Sequence, residues 1–449
     1  MISIPAIQKY RKNPLITGTL LLTAAGLLSR FIGFFYRIFL SRAIGAESLG
    51  LYQLVFPLLA LCLSLTSSGI QTALSRFVAE ESEHRGRALR FFYMALFLSC
   101  TLSVFVGAVV MKNDVWISVH FFRNRRCAPL LSVMVYSLLP ACVHACVNGY
   151  YYGLKRATVP SISQLVEQLA RVGGVYLIFL ITTEQGQPLT AIHAMWGIVI
   201  GEFFGLLYSV LAMWFHLNFG KNPFCDNLCD ITCHHALSLL CSMAIPLTIN
   251  RVLINFCTSI ENMLIPQKLV LYGMTQSMAL STYGVLNGMT MSLLFFPNVL
   301  TGSLSVLLLP TVSEANSRGR EDSIKNATQK AVRYGLLLGA IFTFVFFVFG
   351  HFLGVFIFNS PLAGSFLRQL CWLCPFLYIS SLLGSILHGL GRPKTVLFIN
   401  LTSCLIRIGF IWLLVPYFGI RAYLWSLLIS QIFCALASMA PLRRWICND

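Results

Sequence analysis

The chain has 449 residues, 57% of them hydrophobic and only 10% charged, against about 25% charged in an ordinary soluble domain. Such a composition cannot clothe a water-soluble surface, which excludes a secreted domain, a cytosolic enzyme and a DNA-binding protein. The formal charge of +17 is therefore expected in cytoplasmic loops of a membrane protein rather than against nucleic acid.

The apolar runs are too long and too many for a globular core and predict an all-α polytopic membrane protein of twelve spans. The first six run over 15–40, 48–75, 89–111, 128–153, 158–182 and 189–216. The second six run over 234–259, 282–309, 332–358, 366–390, 395–417 and 421–441. Each can cross about 30 Å of hydrocarbon. Lys9, Arg11 and Lys12 before the apolar stretch from Leu15 to Leu28 resemble a signal peptide. No small-residue cleavage site follows and eleven more spans do, so the first helix is read as uncleaved. With the N-terminus in the cytoplasm, Lys and Arg number 19 inside and 8 outside. That count places both termini and the 217–233 loop in the cytoplasm. The loop with Lys112, Arg123, Arg125 and Arg126 runs against it.

The halves resemble each other. Gly153-Leu154-Lys155-Arg156, Gln164 and Arg171-Val172-Gly173 are echoed at an offset of 236 by Gly389-Leu390-Gly391-Arg392, Asn400 and Arg407-Ile408-Gly409. Phe56-Pro57 is echoed by Phe296-Pro297, and Gly201-Glu202-Phe203 by Ser430-Gln431-Ile432. Pro140 and Pro375 precede the two Gly-Leu pairs by nearly equal distances. A half with six spans starts and ends on one side, so the repeats must be parallel, as in one class of secondary transporter. The expected organisation is an N-terminal six-helix lobe over 1–216, a linker over 217–233 and a C-terminal lobe over 234–449. Substrate is expected near the midplane in the cleft between the halves. Pro57, Pro140, Pro297 and Pro375 are the candidate hinges or kinks, because proline frees backbone groups and permits bending.

Five arginines fall within spans: Arg30, Arg37, Arg171, Arg251 and Arg407. Each opposes insertion by roughly 2.5–3.5 kcal/mol at a helix centre, so a wet cavity or partners must repay them. Arg30 and Arg37 are seven apart and share a helical face. Glu167 and Arg171 are four apart and can pair on their own helix. Arg407 has Ser403 where that acid would be, and no acid lies in 395–417, so its partner must come from another helix or from substrate. Glu202 is the other acid within a span, and Glu261 is placed near an outer end. The cationic interior suits an anionic substrate such as a pyrophosphate headgroup. Arg30, Arg37 and Arg251 are the candidate substrate-binding residues, and Glu167, Arg171 and Arg407 are further cavity charges. Arg42, at the outer end of the first helix, is expected to tolerate alanine. No P-loop, H-E-x-x-H or G-x-S-x-G motif occurs, so no enzymatic chemistry, cofactor or metal is expected. Cys225, Cys229, Cys233, His234 and His235 lack the usual zinc spacing and are read as reduced thiols and histidines of a loop. Tyr150, Tyr151 and Tyr152 end the fourth span like interfacial anchors.

Ser29-Arg30-x-x-Gly33-Phe34, Arg37 and Ser41-Arg42-x-x-Gly45-Ala46 resemble the first helix of the multidrug/oligosaccharidyl-lipid/polysaccharide exporter superfamily. Phe296-Pro297, Gly302 and Leu308-Leu309-Pro310-x-x-Ser313-Glu314 are similar to its eighth helix, and Gly389-Leu390-Gly391-Arg392-Pro393 to the exit of its tenth. Within it the chain looks like the stage V sporulation protein B-like polysaccharide transporters, relatives of the lipid II flippase. The resemblance implies a MATE-like fold of two lobes around a cavity open to lipid. It also implies flipping of undecaprenyl-pyrophosphate sugars, a peptidoglycan or polysaccharide precursor, across the bacterial cytoplasmic membrane. The lipid II flippases carry cavity arginines in helices one, two and eight. Arg30 matches the first, Tyr36 stands where the next first-helix arginine would be, helix two has none, and Ser292 takes the helix-eight position. The implied partners are a lipid-linked oligosaccharide, membrane lipids and a coupling ion, H+ or Na+. The alternative is a drug/cation antiporter of the same fold, which the cationic interior opposes.

Overall fold

The computed structural model describes residues 14–81, 84–219 and 233–443. It is all helical over these residues, with no strand. Helix α1 (Pro14–Leu63) passes through a π turn (Ser64–Ser68) into α2 (Gly69–Glu80). The continuous stretch Leu21–Glu80 has 60 residues, which at 1.5 Å per residue is about 90 Å, three times the hydrocarbon thickness. It is two arms, parted at Gly45, whose φ of 76° and ψ of 171° are non-helical. Only glycine enters that region without steric cost, and the break lies in the gap expected between the first two spans.

Then come α3 (Arg85–Lys112), α4 (Ala128–Gly153), α5 (Thr158–Glu184), α6 (Ala191–Phe219) and α7 (Cys233–Leu271). The eighth crossing is a bent pair. Gln276–Phe295 contains α8 (Gln276–Gly284), a π turn and α9 (Met291–Phe295), and meets α10 (Asn298–Ser317) at 56°. The bend sits at Phe296-Pro297, where proline withholds an N–H and crowds the preceding turn. The rest are α11 (Glu321–Phe358), α12 (Pro361–Leu370), α13 (Cys374–Gly389), α14 (Pro393–Leu413) and α15 (Ile420–Met439). With the first stretch counted as two arms and the bent pair as one span, the described residues hold twelve candidate spans, the number expected. Large apolar side chains such as Phe97, Phe105, Phe356 and Phe398 are exposed, as a lipid-facing surface requires.

Of the candidate hinges, Pro297 breaks its helix. Pro57 and Pro140 lie inside continuous helices, and Pro375 opens α13 after a 3₁₀ turn. The repeat is visible in backbone detail. Lys155 and Gly391, 236 residues apart, are both left-handed, with φ of 59° and 72°. Each closes the same cap: Arg156 N–H donates to the Tyr151 carbonyl, and Arg392 N–H to that of Leu387. The second copy uses glycine, while the first tolerates lysine in a conformation that costs an L-residue roughly 1 kcal/mol.

Packing divides the chain into two compact units. The first takes the described residues of 1–33 and 55–256, the second those of 34–54 and 257–449. This partition exchanges segments relative to the linear halves: 34–54 packs in the second unit and 234–256 in the first. The first unit's core joins α2, α3 and α4 through Leu74, Phe91, Phe92, Cys146 and Tyr150, with Ala236, Leu240 and Ala244 of α7. The second unit's core joins α10, α11, α13 and α14 through Val312, Ile379, Leu383, Ile386 and Ile399. Tyr150 and Tyr151 are 1% and 2% exposed, so they are core residues, not interfacial anchors. Tyr151 donates its hydroxyl to the Ala212 carbonyl, and Tyr152 alone of the three is exposed. The basic turn after α3 stands between two helices long and apolar enough to cross a membrane, Arg85–Lys112 and Arg125–Gly153. Cys225, Cys229 and most of the linker lie outside the described residues, as do the side chains of Cys233 and His234.

Candidate functional site

The three proposed substrate arginines are all exposed, and they do not share one packing unit. Arg30 and Arg251 belong to the first, Arg37 to the second. Arg37 donates to the Ser292 hydroxyl at 3.2 Å, so a guanidinium from α1 reaches α9. Tyr36, next to it, is 5% exposed and faces the core. Arg251 donates to the Thr72 hydroxyl of α2 at 3.1 Å. The close approach of α7 to α2 is set by Gly69, where a Cβ would fall 2.0 Å from the Thr248 hydroxyl. Arg42 is not idle. Its Nε and Nη2 donate to the Ile357 and Phe356 carbonyls at 2.8 and 2.5 Å, capping the last turn of α11. It borders a cavity of about 600 Å³ with Ser41, Gly45, Asn359 and Ser360.

The other two spanning arginines are held in buried clusters, one per unit. In the second unit Arg407 of α14 grips Glu261 of α7, Nε to Oε1 at 2.7 Å and Nη2 to Oε2 at 3.0 Å. Tyr423 of α15 donates to the same carboxylate at 3.0 Å, and Arg407 also donates to Ser403 at 3.0 Å. The Glu261 side chain is 5% exposed. It was expected near an outer end, but α7 continues ten residues beyond it, to Leu271. Arg407 thus finds its partner on another helix, and the spans hold three acids against five arginines.

In the first unit α4, α5 and α6 meet at the equivalent place. Arg171 pairs with Glu167 one turn before it, the expected i,i+4 contact. His144 of α4 sets Nδ1 3.5 Å from Glu202 Oε2 and Nε2 3.0 Å from the Ser163 hydroxyl. One ligand atom from each of His144, Glu167 and Glu202 lies within 4.8 Å of the others, so these three could hold a metal ion by geometry. The Arg171 guanidinium on the same carboxylate opposes a divalent cation there. The crowding is made possible by Gly201 and Gly205 on α6. A Cβ on Gly201 would sit 2.9 Å from the Glu167 carbonyl, and one on Gly205 3.1 Å from the His144 ring. Such a small-xxx-small pair lets helix backbones close up in a membrane. His144 carries no part in the sequence reading. The glycines flanking Glu202, and the echo of Glu202 by Gln431, were the available signals.

The family model "Polysaccharide biosynthesis protein" matches residues 15–316. The chain belongs to that family. A second model, MatE, matches 246–413. Stage V sporulation protein B of Bacillus subtilis (strain 168) is 27% identical over 96% of this chain and 84% of its own length. Lipid II flippase MurJ of the same organism is 20% identical over 85% of this chain and 74% of its own. In fold the chain resembles a solved lipid II flippase MurJ in an inward closed conformation, with TM-score 0.73 and 14% identity over 94% of this chain and 87% of that one. It also resembles an inward-facing multidrug resistance MATE transporter, with TM-score 0.71 and 15% identity over 95% and 98% of the two chains. The family member is a membrane-embedded transporter of the multidrug/oligosaccharidyl-lipid/polysaccharide superfamily, with a two-lobed MATE-like fold.

Proposed function

We propose that this transporter flips an anionic, lipid-linked saccharide, of the undecaprenyl-pyrophosphate class, from the inner to the outer leaflet of a bacterial cytoplasmic membrane, with both termini cytoplasmic. In this reading Arg30, Arg37 and Arg251 meet the phosphates, and the substrate crosses by alternating access. The observation that carries it is the division of the spanning arginines. Arg171 and Arg407 each hold a part-buried ion pair, while Arg30, Arg37 and Arg251 are exposed within candidate spans. An exposed guanidinium group in a span suits an anion and clamps phosphate oxygens bidentately as lysine does not. The relatives named for lipid II flipping and for sporulation point the same way.

The test is transfer of a fluorescent undecaprenyl-pyrophosphate sugar across proteoliposomes. Arg30→Ala is expected to slow it about tenfold or more, equivalent to about 1.4 kcal/mol or more of lost binding. Arg30→Lys should slow it less, and protein level should hold in both. Transfer that survives alanine at all three positions rejects the site. The MatE match over 246–413 favours a second reading, export of a cationic drug. Accumulation of a cationic dye, unaffected by the arginine changes, would select it.

A further inference from the structure

The turn between α3 and α4 carries its charge against the pattern of the rest of the chain. Over 112–126 stand Lys112, Arg123, Arg125 and Arg126, with Asp114 as the single acid. Membrane proteins concentrate such turns on the cytoplasmic side. In the topology proposed above this one lies on the opposite face. The other acid at that end of the first unit, Glu184, is exposed at the end of α5, and the cations still outnumber the acids by four to two.

The turn is firmly built. A helical turn (Asp114–Trp116) runs into a π turn (Ile117–Phe121), and a 3₁₀ turn (Arg125–Cys127) leads into α4. Asp114 ties the two ends together. Its Oδ1 accepts the Val115 N–H at 2.6 Å, and its Oδ2 accepts the Ser132 hydroxyl of α4 at 2.7 Å. Asn124 is buried. Its N–H donates to the Ser118 carbonyl at 2.9 Å, and its side-chain oxygen accepts the Arg126 N–H at 3.0 Å. Phe122 and Cys127 are buried as well. Arg123 holds a left-handed φ of 51°, a conformation an L-residue keeps only when its neighbours fix it.

What the turn leaves on its surface is of two kinds. Val115, Trp116 and Val119 are exposed apolar side chains. Trp116 stacks on His120 one turn later, with ring centroids 5.1 Å apart and 19° between the planes. Lys112, Arg123, Arg125 and Arg126 are exposed cations. Tryptophan and aliphatic side chains beside Lys and Arg, where two spans end, suit a segment lying in the membrane interface. A soluble polyanion would match the cations and leave the apolar side chains in water. A zwitterionic lipid would cover the apolar side chains and bring no net charge to the cations. An anionic phospholipid answers both.

We propose that the 112–126 turn is a docking surface for anionic phospholipid headgroups of the outer leaflet. The arginines take the phosphate, which guanidinium groups clamp bidentately, and Trp116 anchors among the upper acyl chains. The lipid preference is independent of the transported substrate, and the choice of leaflet rests on the topology proposed above.

The experiment is quenching of Trp116 fluorescence in the purified full-length protein, read as the difference between wild type and Trp116→Phe. The protein sits in phosphatidylcholine nanodiscs holding a rising fraction of bromine-labelled phosphatidylglycerol or bromine-labelled phosphatidylcholine. Each cation near an anionic lipid surface strengthens binding roughly fivefold. Half-quenching in wild type should therefore need about tenfold less of the anionic lipid than of the zwitterionic one. Arg125→Gln with Arg126→Gln should bring the two lipids close together, and so should about 1 M salt, where the screening length falls to about 3 Å. Should the double variant not fold, Arg125→Gln alone, with an expected loss of roughly fivefold, takes its place. Arg125→Lys with Arg126→Lys should keep most of the preference, and Arg318→Gln in the second unit all of it. Equal half-quenching by the two lipids in wild type overturns the surface, as does a preference that persists with all three arginines changed to glutamine. If inorganic phosphate abolishes the preference at constant ionic strength, the ligand is a soluble anion and the lipid assignment fails. The leaflet is read separately, by a membrane-impermeant maleimide on Arg125→Cys in intact cells. Labelling above the wild-type background supports the outer leaflet. Labelling no greater than background defeats that placement, while the quenching result stands.

Discussion

The two units hold the same arginine, 236 residues apart, in opposite electrostatic settings. Around Arg407 one acid meets one base, and a tyrosine and a serine complete the bonding. Around Arg171 two acids and a histidine crowd one base. The pair in the second unit is matched in charge, whereas around Arg171 two carboxylates face one guanidinium. Ser403 stands where the first unit has Glu167, and Gln431 where it has Glu202. The acid that completes the Arg407 clasp, Glu261, comes from a helix outside these duplicated positions.

Removing that acid should give the largest effect. Glu261→Ala strands Arg407 and leaves the Tyr423 hydroxyl and the Cys404 thiol without their acceptor, a loss of about 3–5 kcal/mol for a broken buried pair. Folded yield in detergent is expected to collapse, and the double change Glu261→Leu with Arg407→Leu to recover much of it. A Glu261→Ala protein as stable as wild type would show that the clasp is not structural.

The corresponding change in the first unit, Arg171→Ala, is expected to cost less, about 1–3 kcal/mol. The acid left behind there is more accessible than Glu261 and can be neutralised by a proton. Glu167→Gln placed on top of it should restore the melting temperature. A double variant no better than the single would dissolve the pairing.

Smallest is the packing test. Gly201→Ala drives a methyl toward the Glu167 carbonyl and the Arg171 stem, with an expected loss of about 1–3 kcal/mol. Its counterpart Ser430 already carries a side chain, and Ser430→Ala should lower the melting point little. Equal losses at the two positions would mean that the glycine is not what permits the crowding around Glu202.

Much of this was legible in the chain because it is local. Glu167 and Arg171 share a helical face by spacing alone, the Gly45 break falls where the hydropathy dips, and the duplicated Gly-Leu pairs mark two caps with a left-handed residue at the same position. What escaped was either long-range or amphipathic. No local rule links Glu261 to Arg407 across 146 residues, and hydropathy ends the seventh span early because a glutamate there looks like an edge. Tyrosine at a span's end suits a headgroup belt equally well as a core, so only packing distinguishes Tyr150 and Tyr151 from Tyr152. His144 looked like any polar residue of an apolar helix until α5 and α6 were laid against it.

The exchange of segments between the packing units has a consequence for synthesis. The first unit lacks its α7 portion until residue 256 has been made, and residues 34–54 belong to a unit whose remaining chain begins only at 257. At about 5–20 residues per second, the early segment waits on the order of 10–40 s for its neighbours. Through that interval Arg37 has no Ser292 to bond and Arg42 has no α11 to cap. Each half of the newborn chain therefore carries a piece of the other's interior, and neither unit can finish folding as an uninterrupted stretch. The first unit has all of its chain once residue 256 is made, while the early segment 34–54 must wait for the second.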